Sequence, residues 1–141
     1  MLQHLFGGLA PWGPDFLRLG AGIIFVMHGY PKLFGAKPGP KGFAGYLQSM
    51  GFSPPLFWAY LVALAEFLGG VCFLLGFLTR LFALVLALEF LVIILKVKWA
   101  KGLDLGKGGW EYDWALLMMA LSLLVTGPGR WALDSRIPTG F

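Results

Sequence analysis

The hydrophobic pattern of the chain consists of four long apolar stretches separated by short breaks rich in glycine, proline and polar residues. A helix needs about 20 apolar residues to cross the roughly 30 Å hydrocarbon core of a bilayer. The pattern therefore predicts four membrane-spanning helices, over residues 15–34, 56–78, 81–99 and 110–126. The expected fold class is an all-α membrane protein, in which residues 1–141 form one antiparallel four-helix bundle.

Two shorter segments show a different pattern, with apolar residues on only one side of a helix. In the first segment these residues are Leu2, Leu5, Phe6 and Leu9. In the second they are Phe43, Tyr46, Leu47 and Met50. The spacing predicts short amphipathic helices that lie in the membrane interface, at the N-terminus and between the first two spans.

Composition supports a membrane protein. The chain is 58% hydrophobic and 13% charged, whereas soluble domains are about 45–50% apolar and about 25% charged. The net charge of +4 favours anionic lipid headgroups and gives no indication of nucleic-acid binding. The single cysteine, Cys72, lies within a span, so it forms neither a disulfide framework nor a CxxC redox pair, and we interpret it as a small buried hydrophobe.

Aromatic and basic residues indicate where the spans end and how they are oriented. Tryptophan prefers the headgroup level, and all six tryptophans fall near predicted span ends, at positions 12, 58, 99, 110, 114 and 131. The seven lysines lie toward the first and third loops, and the four arginines toward the opposite side. The positive-inside rule favours the lysine side as cytoplasmic, which places both termini outside.

The apolar spans contain charged residues whose burial needs an explanation. Glu66 and Glu89 lie near the middles of the second and third spans, while Arg18, His28 and Lys32 lie on nearly one face of the first. A charge at this depth costs on the order of a few kcal/mol and normally faces a partner or a cavity. We therefore expect these groups to neutralise one another across the helices, with Lys96 on the same face as Glu89.

Three interpretations of this polar cluster are open at this point. The charges can be structural ion pairs that hold the helices in register. They can also line a pocket for a polar headgroup such as that of a quinone, where an imidazole beside a carboxylate donates to a carbonyl oxygen or relays a proton. Metal ligation by His28, Glu66 and Glu89 is a third interpretation, which the spacing does not demand and the nearby lysine opposes.

Several sequence segments together resemble the DoxX family of small four-span membrane proteins. They are LRLGAGIIFVMHGYPKLFG at residues 17–35, GFSPP at 51–55, AEFLGGVCFLLGFLTR at 65–80 and GPGRWALD at 127–134. The resemblance covers almost the whole chain, although Glu89 and the loop before the fourth span belong less clearly to the common pattern. It implies a four-helix bundle in a prokaryotic plasma membrane. DoxD-type relatives resemble the membrane subunit of a thiosulfate:quinone oxidoreductase, and others are linked to soluble sulfur-transfer or superoxide-detoxifying enzymes.

We therefore expect an integral membrane subunit or anchor of a quinone-linked oxidoreductase or respiratory complex. Its expected quinone pocket comprises Arg18, His28, Lys32, Glu66 and Glu89. The sequence has no sign of a haem, flavin or metal site, so electrons would come from a membrane or peripheral redox partner with its own cofactor. Arg130 and Asp134 are expected to cap the end of the fourth span.

Two other functions stay open. The chain can be a purely structural assembly subunit whose buried ion pairs only stabilise the bundle. It can also be a small solute carrier, which ranks last because no internal repeat of the transporter kind is present.

Overall fold

A computed structural model describes residues 2–137, and these residues are helical throughout, joined by turns and without strands. The α-helices are α1 (Leu2–Phe6), α2 (Gly13–Phe34), α3 (Gly39–Ser49), α4 (Pro55–Leu75), α5 (Thr79–Val92) and α6 (Glu111–Thr126). The predicted all-α class is confirmed.

The turn between α4 and α5 lies slightly earlier than the sequence suggests. Gly76 adopts a left-handed conformation, with φ of +66°, and closes α4 after Leu75. Glycine adopts this conformation without the steric cost that a Cβ brings, which makes it a common helix terminator. The link is therefore residues 76–78, and Thr79 already belongs to α5.

The helical backbone of α5 continues past Val92 in a wider form. Residues Ile93–Lys98 form a π-helical turn, and Trp99–Lys101 form a 3₁₀ turn. A π-helical turn holds more residues than an α-helical turn, so it changes which side chains face inward beyond it. As a result Lys98 pairs with α6, while the Lys96 amine lies 5.8 Å from the Phe52 ring centroid. The expectation that Lys96 accompanies Glu89 is wrong.

The four longer helices pack in a ring in which α2 contacts α4, α4 contacts α5, α5 contacts α6, and α6 contacts α2. Inside the ring, Phe25 of α2 lies 5.9 Å from Phe73 and 5.6 Å from Phe90, measured between ring centroids. Glycines bring α2 and α4 together, because a Cβ on Gly70 would lie 2.6 Å from the Val26 nitrogen.

Helices α1 and α3 occupy the two positions predicted for interfacial helices. Helix α3 packs Ala44 and Leu47 against Ala59 of α4. Helix α1 leads through a 3₁₀ turn at Gly7–Trp12 directly into α2, and its apolar side chains are exposed. Their position in a membrane interface stays a prediction.

Among the described helices, α4 alone is both long and apolar enough to cross a membrane by itself. Helix α2 carries several charges, whereas α5 and α6 have 14 and 16 residues. Large apolar side chains are nevertheless exposed on α2, α4, α5 and α6, among them Phe16, Phe57, Leu88 and Val125. Soluble monomers rarely expose so much contiguous apolar surface. The four-span arrangement stays a prediction.

Candidate functional site

An ion pair between α2 and α4 forms the centre of the polar cluster. The Lys32 amine donates to Oε2 of Glu66 over 2.5 Å. Glu66 is buried in the middle of α4, and 19% of the Lys32 side chain is exposed. The Lys32 amine also lies 4.7 Å from the centroid of the Phe43 ring, which brings α3 to the same place. The pairing of Lys32 with Glu66 gives each charge the partner that burial requires.

Glu89 lies next to this pair on α5. Both of its carboxylate oxygens are buried and have no hydrogen-bond partner within the part of the chain that the structure describes. The neighbouring charged groups are the Lys32 amine and the Glu66 carboxylate. Ionised carboxylates only accept hydrogen bonds, so Glu66 cannot satisfy Glu89 unless one of the two carries a proton. Glu89 is thus a buried hydrogen-bond acceptor without a donor among the described residues.

Glu89 also lines an apolar groove with a volume of about 370 Å³. Its walls come mainly from α3, α4 and α5, and its charged lining residues are Lys32, Glu89 and Lys98. The apolar lining includes Phe43, Phe52, Trp58, Leu61, Val85 and Leu88. The groove is therefore suited to a mostly apolar ligand that carries a polar end.

A second cavity of about 230 Å³, here called the interior cavity, lies among α2, α4, α5 and α6. Lys32 and Glu66 line it on one side, and Lys98 and Asp113 on another. The Lys98 amine donates to Oδ2 of Asp113 over 2.6 Å, and Asp113 is buried. Two ion pairs from four helical segments thus surround one polar space.

His28 lines the interior cavity from α2, although its ring is partly exposed at the surface. Its Nδ1 lies 2.8 Å from the Ile24 carbonyl oxygen. A carbonyl only accepts, so Nδ1 carries the hydrogen and Nε2 is left for other partners. The His28 ring centroid is 6.0 Å from that of Tyr112, which lines the same cavity.

Arg18 lies far from this cluster. It precedes Lys32 by fourteen residues on α2, which is about 21 Å along the helix axis. Its buried guanidinium pairs with Asp15 at 3.1 Å and donates to three backbone carbonyls, those of Phe73, Leu74 and Pro128. The structure therefore brings together Lys32, Glu66 and Glu89, places His28 on the adjoining cavity, and separates Arg18 from them.

The Arg18 region ties the end of the chain to the start of α2, and we call Asp15, Arg18, Arg130, Trp131 and Asp134 the clasp. Asp15 accepts hydrogen bonds from the backbone nitrogens of Arg130 and Trp131. Asp134 accepts from the nitrogens of Leu78 and Thr79, so it caps the beginning of α5. The expectation that Arg130 and Asp134 cap the fourth span is therefore wrong. Asp134 caps α5, and the Arg130 backbone nitrogen binds Asp15 of α2.

Two site residues, Lys98 and Asp113, are missed by the sequence analysis. Lys98 is only one of the seven lysines counted there toward the loops, and Asp113 is an acid in the first turn of α6, a common place for a negative charge. Their pairing depends on the π-helical turn, for which the local sequence carries no clear signal. Among the described residues, no group of three His, Cys, Asp or Glu side chains is placed to hold a metal ion.

Comparison with known proteins supplies the family context. The sequence profile of the DoxX family matches residues 13–99. The chain is 35% identical to "Putative oxidoreductase CatD" of Bacillus subtilis (strain 168), covering 86% of this chain and 84% of that protein. It is 31% identical to "Uncharacterized membrane protein Rv3486" of Mycobacterium tuberculosis, covering 86% and 78%. It is 28% identical to "Inner membrane protein YphA" of Escherichia coli (strain K12), covering 93% and 94%.

No solved structure matches the chain significantly. The names of the relatives support a location in a prokaryotic membrane. The resemblance inferred from the four sequence segments is thereby confirmed.

Proposed function

Because this chain belongs to the DoxX family, we propose that it is a four-span membrane subunit or anchor of a quinone-linked oxidoreductase. The four spans would be α2, α4, the helical run from Thr79 to Lys101, and α6. The 21 residues of α4 extend about 32 Å, close to the thickness of the hydrocarbon core. The shorter α6, at 16 residues, would end near the interface, where Trp110 and Trp114 lie.

The distribution of polar groups supports this embedding. Four charged side chains within the helices are turned inward: Asp15, Arg18, Glu66 and Asp113 are each at most 4% exposed. The outward-facing positions carry large apolar side chains instead. Charged side chains inside and apolar side chains outside suit a hydrocarbon environment, where a charge is tolerated only with a partner or a cavity.

The buried, unpartnered Glu89 carboxylate in the lining of the apolar groove is the observation that carries the quinone proposal. A quinone ring is apolar on its faces and bears two carbonyl oxygens that accept hydrogen bonds. The groove volume of about 370 Å³ lies within the range of small-molecule sites, roughly 300–1,000 Å³. A protonated Glu89 would donate to one carbonyl oxygen, and the Lys32 amine offers a second donor to the same end of the groove.

The proposed quinone would supply two-electron redox chemistry, and the residues of this chain would bind and orient it. Apolar side chains of α3, α4 and α5 would exclude water from the ring, and Glu89 and Lys32 would hold the proton donors beside it. Electrons would come from a partner protein with its own cofactor. The oxidoreductase name of the Bacillus subtilis relative supports this assignment.

Quinone retention tests the proposal directly. The protein is purified in a mild detergent, extracted with organic solvent and assayed for quinone. We expect wild type to retain quinone, Glu89→Leu to lose it, and Glu111→Gln, a change of an exposed carboxylate on α6, to behave as wild type. The absence of quinone from well-folded wild type, together with its partner proteins, would contradict the proposal.

A steric variant separates the groove from the charges. Val85→Trp fills the groove without replacing any charged residue, whereas Leu84→Trp places the same side chain on the neighbouring exposed position outside the groove. We expect only Val85→Trp to release quinone. Equal retention by both variants would mean that quinone binds elsewhere.

A purely structural role is the second candidate. It is favoured by the pairing of Lys32 with Glu66, Lys98 with Asp113 and Arg18 with Asp15, which stabilises four helices against one another. This role leaves Glu89 unexplained, since its carboxylate has no hydrogen-bond donor within residues 2–137. If the role is only structural, Glu89→Leu should leave stability unchanged or raise it, with no change in bound quinone.

A further inference from the structure

The charges around the interior cavity and Glu89 do not balance. Three carboxylates, Glu66, Glu89 and Asp113, face two ammonium groups, Lys32 and Lys98. Each ammonium forms its ion pair with one carboxylate, so Glu89 has no ion-pair partner of its own among the described residues. A buried charge without a partner is costly in a low-dielectric environment. The cluster therefore has a place for one additional positive charge.

A proton fits this place better than a metal ion. No group of three ligating side chains surrounds the site in the described residues. By contrast, Glu66 and Glu89 are neighbouring carboxylates, and both Glu89 oxygens are buried without a hydrogen-bond partner among the described residues. One proton between them removes the excess charge and also creates the missing hydrogen bond, since a protonated carboxyl group is a donor.

The two cavities differ in how well they would conduct a proton to this place. The groove lining is mostly apolar, with Lys32, Glu89 and Lys98 as its charged residues, so it offers a proton few intermediate partners. Six of the ten residues that line the interior cavity are polar or charged, and its volume is about 230 Å³. Because a water occupies about 30 Å³ of liquid and needs two to four polar partners, this cavity is suited to hydrogen-bonded water.

The interior cavity leads from the carboxylate pair toward one end of the bundle. Asp113 lies in the first turn of α6, and Lys98 closes the π-helical turn, so both adjoin the exposed loop at residues 102–108. The polar groups that line the interior cavity come from α2, α4, the π-helical turn and α6: His28, Lys32, Glu66, Lys98, Tyr112 and Asp113. Glu89 of α5 neighbours Glu66 and is not part of this lining.

We propose that Glu66 and Glu89 share one proton and exchange it through the interior cavity with the aqueous side that bears residues 102–108. This inference rests on the proposed membrane embedding and concerns the proposed quinone site. It does not require quinone to bind, because the proton balances charges that belong to the protein itself.

Infrared spectroscopy of the full chain in lipid vesicles, free of added quinone, tests the shared proton. A protonated carboxyl group absorbs at a higher C=O frequency than a carboxylate. We expect such a band in wild type and in Asp104→Asn, which changes an exposed loop carboxylate, and its loss in Glu89→Gln. A wild-type spectrum without the band, or a band that persists in Glu89→Gln, would overturn the shared proton.

The rate at which this band shifts after transfer to deuterated water tests the route. The double variant Lys98→Met/Asp113→Leu removes a complete ion pair and leaves the net charge unchanged. We expect it to slow exchange by about tenfold or more, equivalent to a barrier raised by about 1.4 kcal/mol. His28→Leu changes an exposed ring at the same cavity and is expected to slow exchange without risk to folding.

Val85→Trp tests the alternative route, because it fills the groove and leaves the interior cavity open. We expect wild-type exchange rates in this variant. Slow exchange in Val85→Trp, with normal exchange in His28→Leu, would show that the proton enters through the groove and would overturn the route. No step of this infrared experiment involves quinone, so its result can be interpreted even if the quinone proposal fails.

Discussion

Lys32 and Glu66 meet across 34 residues of sequence, and their 2.5 Å contact joins the last turn of α2 to the middle of α4. Lys32 also lines both the apolar groove and the interior cavity. The same amine thus belongs to the packing of two helices, to the end of a candidate ligand groove and to a candidate proton path. Stability and binding must be measured separately to tell these contributions apart.

Removing the Lys32 charge should destabilise the bundle strongly. Lys32→Met leaves Glu66 buried without its partner, and breaking a buried pair in this way typically costs about 3–5 kcal/mol. The double variant Lys32→Met/Glu66→Leu removes both charges and should recover most of this loss. Thermal unfolding in detergent, followed by circular dichroism, gives the comparison.

Lys107→Met is the matched control for that measurement. Lys107 is also near a carboxylate, Asp104, but their charged atoms are 3.9 Å apart and the Lys107 side chain is 79% exposed. Such surface pairs are worth about 0–1 kcal/mol, so this variant should unfold close to wild type. Equal destabilisation by Lys32→Met and Lys107→Met would contradict the assignment of Lys32 as a buried partner.

The glycines between α2 and α4 should tolerate no side chain. A Cβ on Gly70 would lie 2.6 Å from the Val26 nitrogen and 2.9 Å from the Gly22 oxygen, and both are backbone atoms. Gly70→Ala should therefore push the helices apart, at a cost of about 1–3 kcal/mol. Gly20→Ala meets nothing within 4 Å and should be neutral or stabilising by up to about 1 kcal/mol. Equal unfolding temperatures in the two variants would rule out close packing at Gly70.

The apolar pattern predicts the helices and the buried acids well, because burial in lipid or in a bundle constrains nearly every position of a span. It fails for Arg18, since fourteen residues place Arg18 and Lys32 on one helix face but about 21 Å apart in depth. It also fails for Lys98, because the π-helical turn changes the face that follows it. Asp134 caps α5 through contacts 55 and 56 residues away, which no local pattern reveals.

Replacement of Arg18 should reveal the clasp as a structural unit. Arg18→Met leaves Asp15 buried without its ionic partner and removes the donor from three carbonyls, so we expect a loss of about 3–5 kcal/mol. Arg80→Met is the control, because exposed Arg80 makes one hydrogen bond, to the Leu124 carbonyl, among those described. Its effect should be about 1 kcal/mol or less. The infrared band of the protonated carboxyl group should persist in the folded fraction of Arg18→Met. Loss of this band from the folded fraction would link the clasp to the Glu66–Glu89 pair.

The two ends of the bundle should face opposite sides of the membrane, with both termini outside. The start of α2 and the chain after α6 share one end, since Trp12 and Trp131 have ring centroids 4.5 Å apart. The lysine-rich loops lie at the other end, which the positive-inside rule favours as cytoplasmic. In a Cys72→Ala background, Ser135→Cys should react with a membrane-impermeant maleimide in intact cells, whereas exposed Lys107→Cys should react only after lysis. The reverse labelling pattern would invert the topology, and labelling of both positions in intact cells would contradict the four-span arrangement itself.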